Sequence, residues 1–152
     1  MSAYRTVVVG TDGSDSSLRA VRRAGALAGA CAARLVIVCA YQPPRADDRE
    51  VRRAQEVLGD DAYQVIGSGP AEETLRTAAD KAREAGATEV YPFAVVGEPV
   101  DALLDVVARE QADLLVVGNR GLNSIKGRLL GSVPSDIARR SSVDVLVVHT
   151  TG

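Results

Sequence analysis

The residues best suited to chemistry lie between Val117 and Pro134. An apolar run, Asp113–Gly118, ends there at Val117 and Gly118, and Gly118 lacks the Cβ that would keep a ligand or another backbone at a distance. Asn119 and Arg120 follow, and then Gly121, which permits a left-handed turn. After nine intervening residues, Gly131-Ser132 stands at the entrance to a short helical pattern, Val133–Arg140. Ser132 is placed as its N-cap, with Pro134 in the first turn, where a missing N–H costs little. The amides of Ser132 and Val133 and the Ser132 hydroxyl are therefore candidate donors. A helix start carries roughly +0.5 of a charge and favours an anion. Arg120, Lys126 and Arg128 add positive charge beside it. At about 1.5–3 kcal/mol for each hydrogen bond to a charged group, three or four would supply much of the roughly 8 kcal/mol that micromolar binding requires. The chemistry indicated is capture of a phosphate.

A second polar, glycine-bearing connection follows the first apolar run: Gly10-Thr11-Asp12-Gly13-Ser14. An Asp directly after a strand often serves a turn. Opposite a phosphate it could instead hold a metal or contact a nucleotide's sugar or base. Ala40, near the end of the second apolar run, is small and could offer backbone groups to an adenine edge.

The elements that must position these loops are legible from pattern. Five apolar runs, Tyr4–Gly10, Leu35–Tyr41, Glu89–Val96, Asp113–Gly118 and Val143–His149, read as strands. Four of them lack clean alternation, as expected of strands covered on both faces. The third contains Pro92, which points to an edge. Helical periodicity fills the gaps: Leu18, Val21, Gly25 and Ala28 after caps at Ser14–Ser16; Ala71, Leu75, Ala78 and Ala82 after Pro70, with a stop at Gly86; and Val100, Leu103, Leu104 and Val107 after Pro99. Arg139 and Arg140 sit where cations complement the last helix's dipole. The connection Gln42–Gly69 is long, with a helical stretch at Asp47–Leu58 and a polar one from Gly59 to Gly69.

Alternating β and α elements predict a doubly wound α/β fold, a five-stranded parallel sheet with helices on both faces, in one domain over residues 1–152. If the sheet reverses beside strand one, strands one and four are neighbours. The loops at Gly10–Ser14 and Gly118–Ser132 then bound the switch-point crevice, the usual ligand site of open α/β sheets.

Composition narrows the function. A net charge of −2 offers no basic face for nucleic acid, and the 18 Lys and Arg include only two lysines, Lys81 and Lys126. The cysteines Cys31 and Cys39 make neither a CxxC pair nor a zinc set and read as buried free thiols. The opening Met1-Ser2-Ala3-Tyr4-Arg5 leads straight into a strand without a secretory apolar stretch. No run approaches the ~20 residues of a membrane span, so the expected location is cytoplasmic. There is no Walker A sequence, since Lys126-Gly127 stands in the loop, and no Gly-x-Gly-x-x-Gly after strand one. With four Tyr, one Phe and no Trp, neither candidate loop holds an aromatic to stack on a flavin. Val95-Val96-Gly97 stands where a phospho-receiver domain needs Asp. His149, the single histidine, shows no evident partner for catalysis.

These motifs together resemble the universal stress protein family, nucleotide-binding branch, over nearly the whole chain. The branch pattern Gly-x2-Gly-x9-Gly-[Ser/Thr] is matched by Gly118, Gly121, Gly131 and Ser132. The opening Val7-Val8-Val9-Gly10-Thr11-Asp12-Gly13-Ser14 and the closing Val143–Val148 run match as well. The resemblance implies a sheet order 3-2-1-4-5, a bound ATP or related adenine nucleotide, and a homodimer. It implies that Gly10, Thr11, Asp12 and the backbone near Ala40 hold the nucleoside. Val117, Gly118, Gly121, Gly131, Ser132 and Val133 would then hold the phosphates, with Asn119, Arg120, Arg128 and Pro134 in the same lining. Asn119 stands where Ser is commoner and Pro134 where Thr or Ser often stands, which leaves AMP and cyclic AMP open beside ATP. Mg²⁺ would come with the nucleotide, at Asp12. The apolar fifth strand, Val143–Thr150, is the expected dimer edge. Two functional classes stay open. One is a regulatory or sensor module that binds nucleotide in stress response without dedicated catalysis, including a dimeric partner-binding protein. The other is a slow ATPase or phosphotransferase, for which only Asp12 could act as base.

Overall fold

The computed structural model describes residues 2–42, 68–119 and 132–150. The expected helix at Asp47–Leu58 and most of the polar stretch after it lie outside the described residues. Nine elements alternate: β1 (Thr6–Gly10), α1 (Asp15–Cys31), β2 (Arg34–Tyr41), α2 (Ser68–Ala85), β3 (Glu89–Val96), α3 (Pro99–Glu110), β4 (Leu114–Gly118), α4 (Ser132–Arg140) and β5 (Asp144–Val148). The five strands form one parallel sheet in the order β3-β2-β1-β4-β5. β1 and β4, buried at every residue, sit at its centre.

Because strand side chains alternate in direction, each strand feeds two cores. Val7, Val9, Leu35, Ile37, Leu114 and Val116 face α1 and α2. Val8, Val36, Val38, Leu115 and Val117 face α3 and α4. This two-sided burial is why the central strands read as continuous apolar runs. β3 is an outer strand, as Pro92 predicts, and its exposure alternates along its length.

The α1 stripe of Leu18, Val21, Gly25 and Ala28 is buried as its period predicts, and the Ser14 side chain accepts from the Ser17 amide to cap the helix. Gly25 is there for close approach: a Cβ would lie 2.7 Å from the Ala82 carbonyl oxygen of α2. The α2 stripe of Ala71, Leu75, Ala78 and Ala82 is likewise buried, though the helix begins at Ser68, two residues ahead of Pro70. In α3 the buried face is Ala102, Leu103, Val106 and Val107. The expected Val100 and Leu104 flank that face and are half-buried, because the 3.6-residue stripe is centred one position away from where their apolar character alone suggested. Arg139 pairs with Asp136 at 2.8 Å and Arg140 with Asp101 at 2.9 Å, so the last turn of α4 is tied to α3 as well as to its own dipole.

Candidate functional site

The strand order reverses between β1 and β4. α1 leaves β1 on one face, while α4 packs with α3 on the other. Both helices run opposite to the strands, so their N-termini lie at the sheet's carboxyl edge, flanking the crevice between β1 and β4. Two positive dipole ends thus converge on the switch point.

Register sets the order of groups along that edge. Gly10 is level with Val38 of β2, and Ala40 lies two residues beyond Val38 toward the same edge at which Asp12 follows β1. Val9 is level with Val116, so β1 and β4 run toward the same edge, where Thr11 and Gly118 stand at their ends. Ala40 is half-buried with its methyl in the α3 core, leaving its main chain at the edge.

The β1 loop is built by its own short polar side chains. Thr11 is buried and its amide donates to the Val38 carbonyl at 2.9 Å. The Thr11 hydroxyl is 2.8 Å from the Ser17 hydroxyl and accepts from the Gly13 amide at 3.1 Å. Its side chain therefore holds the turn rather than projecting into the crevice. Gly13 has φ +86, a left-handed conformation open to glycine at little cost. Asp12 is exposed, and its Oδ1 accepts from the Ser14 amide at 2.9 Å, which aims the carboxylate across the start of α1. Its charge is also felt at Cys39: burial first, and Asp12 second, push that thiol up to about 11. Cys39 is a buried free thiol as expected, whereas Cys31 is only half-buried, on the last turn of α1.

At the end of β4 the structure revises the reason for one glycine. The space beside Gly118 is filled from within: a Cβ there would come 3.2 Å from Thr150 Cγ2 and 3.9 Å from the Ala20 Cβ. The missing Cβ of Gly118 thus makes room for the chain's own Thr150 side chain. The Asn119 amide continues the ladder to the Val148 carbonyl at 2.8 Å. The Asn119 Oδ1 accepts from the Thr150 amide at 2.9 Å and from its hydroxyl at 2.8 Å. Thr150 in turn bonds the Ser16 hydroxyl, and its carbonyl accepts from Arg19. His149, for which the sequence suggested no partner, has Asn119 Nδ2 at 3.3 Å from its Nδ1. Nothing in the spacing of Asn119, His149, Thr150, Ser16 and Ser17 brings them together; the run of Ser and Thr at two strand ends is the one signal that could have marked them.

Arg120, Gly121, Lys126, Arg128 and Gly131 lie outside the described residues. α4 begins at Ser132, one residue earlier than the expected Val133. Pro134 is in the first turn and buried, and Val133 is half-buried against the α3 core. Among the described residues no three His, Cys, Asp or Glu side chains are grouped to hold a metal ion. Among them, too, no helix is long and apolar enough to cross a membrane.

A model of the universal stress protein family matches residues 3–149. A universal stress protein of Mycobacterium tuberculosis is 56% identical over 151 residues, covering 99% of this chain and 100% of the relative. A putative universal stress protein of Staphylococcus aureus is 31% identical over 151 residues, covering 99% of this chain and 87% of that one. Among solved structures, a universal stress protein in complex with cAMP matches with a TM-score of 0.75 at 51% identity, covering 99% of this chain and 100% of its own. A protein from M. tuberculosis H37Rv matches with a TM-score of 0.61 at 49% identity, covering 99% of each chain.

Proposed function

The chain belongs to the universal stress protein family, and from that premise we propose that it is a regulatory or sensor module that binds an adenine nucleotide at the β1/β4 crevice. The observation that carries the reading is the strand order, which reverses between β1 and β4 and brings the N-termini of α1 and α4 to the sheet edge where Asp12 follows β1 and β2 ends at Ala40 and Tyr41. Donor ends suit a phosphate, and the main chain near Ala40 suits an adenine edge. The relative solved with cAMP, at 51% identity, supports the ligand class.

In this reading the main chain of Gly10, Asp12 and Ala40 meets the nucleoside. Val117, Gly118, Asn119, Arg120, Gly121, Arg128, Gly131, Ser132, Val133 and Pro134 form the phosphate side. Thr11 holds the β1 turn through Ser17 and Gly13. Cyclic AMP carries one negative charge and needs no metal, which suits a site of main-chain donors. ATP would bring Mg²⁺ on its own phosphates, with Asp12 as the protein's carboxylate ligand. A homodimer through Val143–Thr150 belongs to the same reading: β5 is a sheet edge, and Val147 stands 44% exposed on it. The cytoplasm is the compartment in which the module would meet its nucleotide.

Calorimetry with cyclic AMP, AMP, ADP and ATP, each with and without Mg²⁺, tests the proposal. Saturable micromolar binding of at least one, lost in Gly131→Glu with circular dichroism intact, is the expected result. A folded Gly131→Glu protein with undiminished affinity would overturn it.

A further inference from the structure

A cavity of about 800 Å³ lies against β3, far from the β1/β4 crevice, bounded by Arg76 and Arg83 of α2 and by Arg109 of α3. Pro92, Phe93 and Ala94 of β3 line it, so it spans both faces of the strand. β3 is the sheet's outer strand opposite β5, and its far side has no neighbouring strand among the described residues.

The direction of the β3 main chain follows from one hydrogen bond. The Gly97 amide donates to the Tyr41 carbonyl of β2 at 3.0 Å. Successive residues of a strand point their N–H and C=O groups to opposite sides, so Glu89, Tyr91, Phe93 and Val95 face β2. Val90, Pro92, Ala94 and Val96 face outward. Pro92, which has no N–H, falls on the outward set, where its absence breaks no ladder bond. Ala94 and Val96 keep theirs, and Val96 is 54% exposed. Among the described residues, the last half of β3 is thus a template open to one more strand.

Charge selects the occupant. Neither Arg76 nor Arg109 makes an ion pair among the described residues, and Arg83 reaches Asp80 only at 3.6 Å on the surface. Of the two acidic residues at the cavity, Glu110 is already held by Arg34 at 2.8 Å, and Glu72 remains. Arg76 and Arg83 are seven residues apart, roughly 10 Å along the helix. Carboxylates two to four residues apart on an extended chain span about 7–13 Å. Side chains of an added strand alternate between the α2 face, with Arg76 and Arg83, and the α3 face, with Arg109.

We infer that the free edge of β3 docks an extended acidic peptide segment of another protein, added as a sixth strand beside Ala94 and Val96 and held by Arg76, Arg83 and Arg109. The inference is independent of nucleotide binding. Its test uses the full chain and a fluorescein-labelled peptide of three Val-Glu-Glu repeats, which presents carboxylates on both faces of an added strand, followed by anisotropy, with a Val-Lys-Lys peptide as control. Saturable binding of the Val-Glu-Glu peptide alone is expected. At least tenfold weakening is expected in Arg76→Glu/Arg109→Glu, in Ala94→Pro, and with a probe N-methylated at alternate amides, which leaves the protein untouched. Failure of the unmodified probe to saturate would overturn the inference, as would equal binding of the lysine peptide. Retention of affinity by the N-methylated probe would replace strand addition with charge attraction alone. Self-association that Ala94→Pro abolishes, with no peptide bound, would assign the edge to a second copy of this chain.

Discussion

Asn119 and Thr150 are joined twice. One side-chain oxygen of Asn119 accepts both the amide of Thr150, at 2.9 Å, and its hydroxyl, at 2.8 Å. The bond pair fastens the chain beyond β5 to the exit of β4, at the first residue of the glycine loop. Ser16 and Arg19 then link the same threonine to α1. Three elements around the candidate site are held by one residue. Asn119→Ala leaves the Thr150 amide, in a buried residue, short of its acceptor. A loss of about 1–3 kcal/mol in unfolding free energy is expected from urea denaturation, together with weaker nucleotide binding. Unchanged midpoints would show that water replaces the amide at no cost.

Gly25 is the contact point of α1 and α2. A methyl there would sit 2.7 Å from the Ala82 carbonyl and 2.9 Å from the Ala82 Cα, and neither backbone atom can step aside alone. Although alanine favours helix, Gly25→Ala is expected to destabilise by about 1–3 kcal/mol, the usual range for overpacking. The exposed Ala26→Gly serves as the opposite control, losing about 1 kcal/mol from propensity alone. Gly25→Ala at or above wild-type stability would mean the helices separate freely.

Cys39 couples stability to alkaline pH. Its thiol is pushed up from its usual 9 to about 11, first by burial and then by the Asp12 charge. Between those values the unfolded chain loses the proton and the folded one keeps it, so the folded state binds more protons and stability falls as pH rises. Cys39→Ala should flatten the decline between pH 9 and 11 relative to wild type in parallel denaturations. Native Cys39 should also resist iodoacetamide at pH 8, where the half-buried Cys31 is modified first; mass spectrometry reads both.

The Asp12 carboxylate separates two ligands. Asp12→Ala should weaken ATP binding more with Mg²⁺ than without it, and should alter cyclic AMP binding equally in both conditions. Calorimetric titrations giving equal losses for ATP would remove the metal role.

Edge exposure on β5 predicts the assembly. Val147→Lys should convert a dimer to a monomer in sedimentation velocity at micromolar concentration. A monomeric wild type would remove the dimer from the reading.

Much of the fold was legible because the signals were local. Pro92 marked an outer strand, since a missing amide is tolerated only where no neighbour needs it. Ser14 before Leu18 and Val21 marked the start of α1, and the unbroken apolar runs of β1 and β4 marked strands covered twice. The candidate site was legible in type: a glycine loop, a helix entrance and an acid after the first strand. Its inner wiring was not.

What the chain order alone determined is the alternation of strand and helix and the buried stripes of α1 and α2, because each depends on periods or caps spanning a few residues. What only the tertiary structure decided is which groups meet. Thr11 turns inward to Ser17, Gly118 makes room for Thr150, and His149 comes beside Asn119. Those meetings depend on strand order and register across the sheet, where residues over 100 positions apart become neighbours, and no local pattern carries that information.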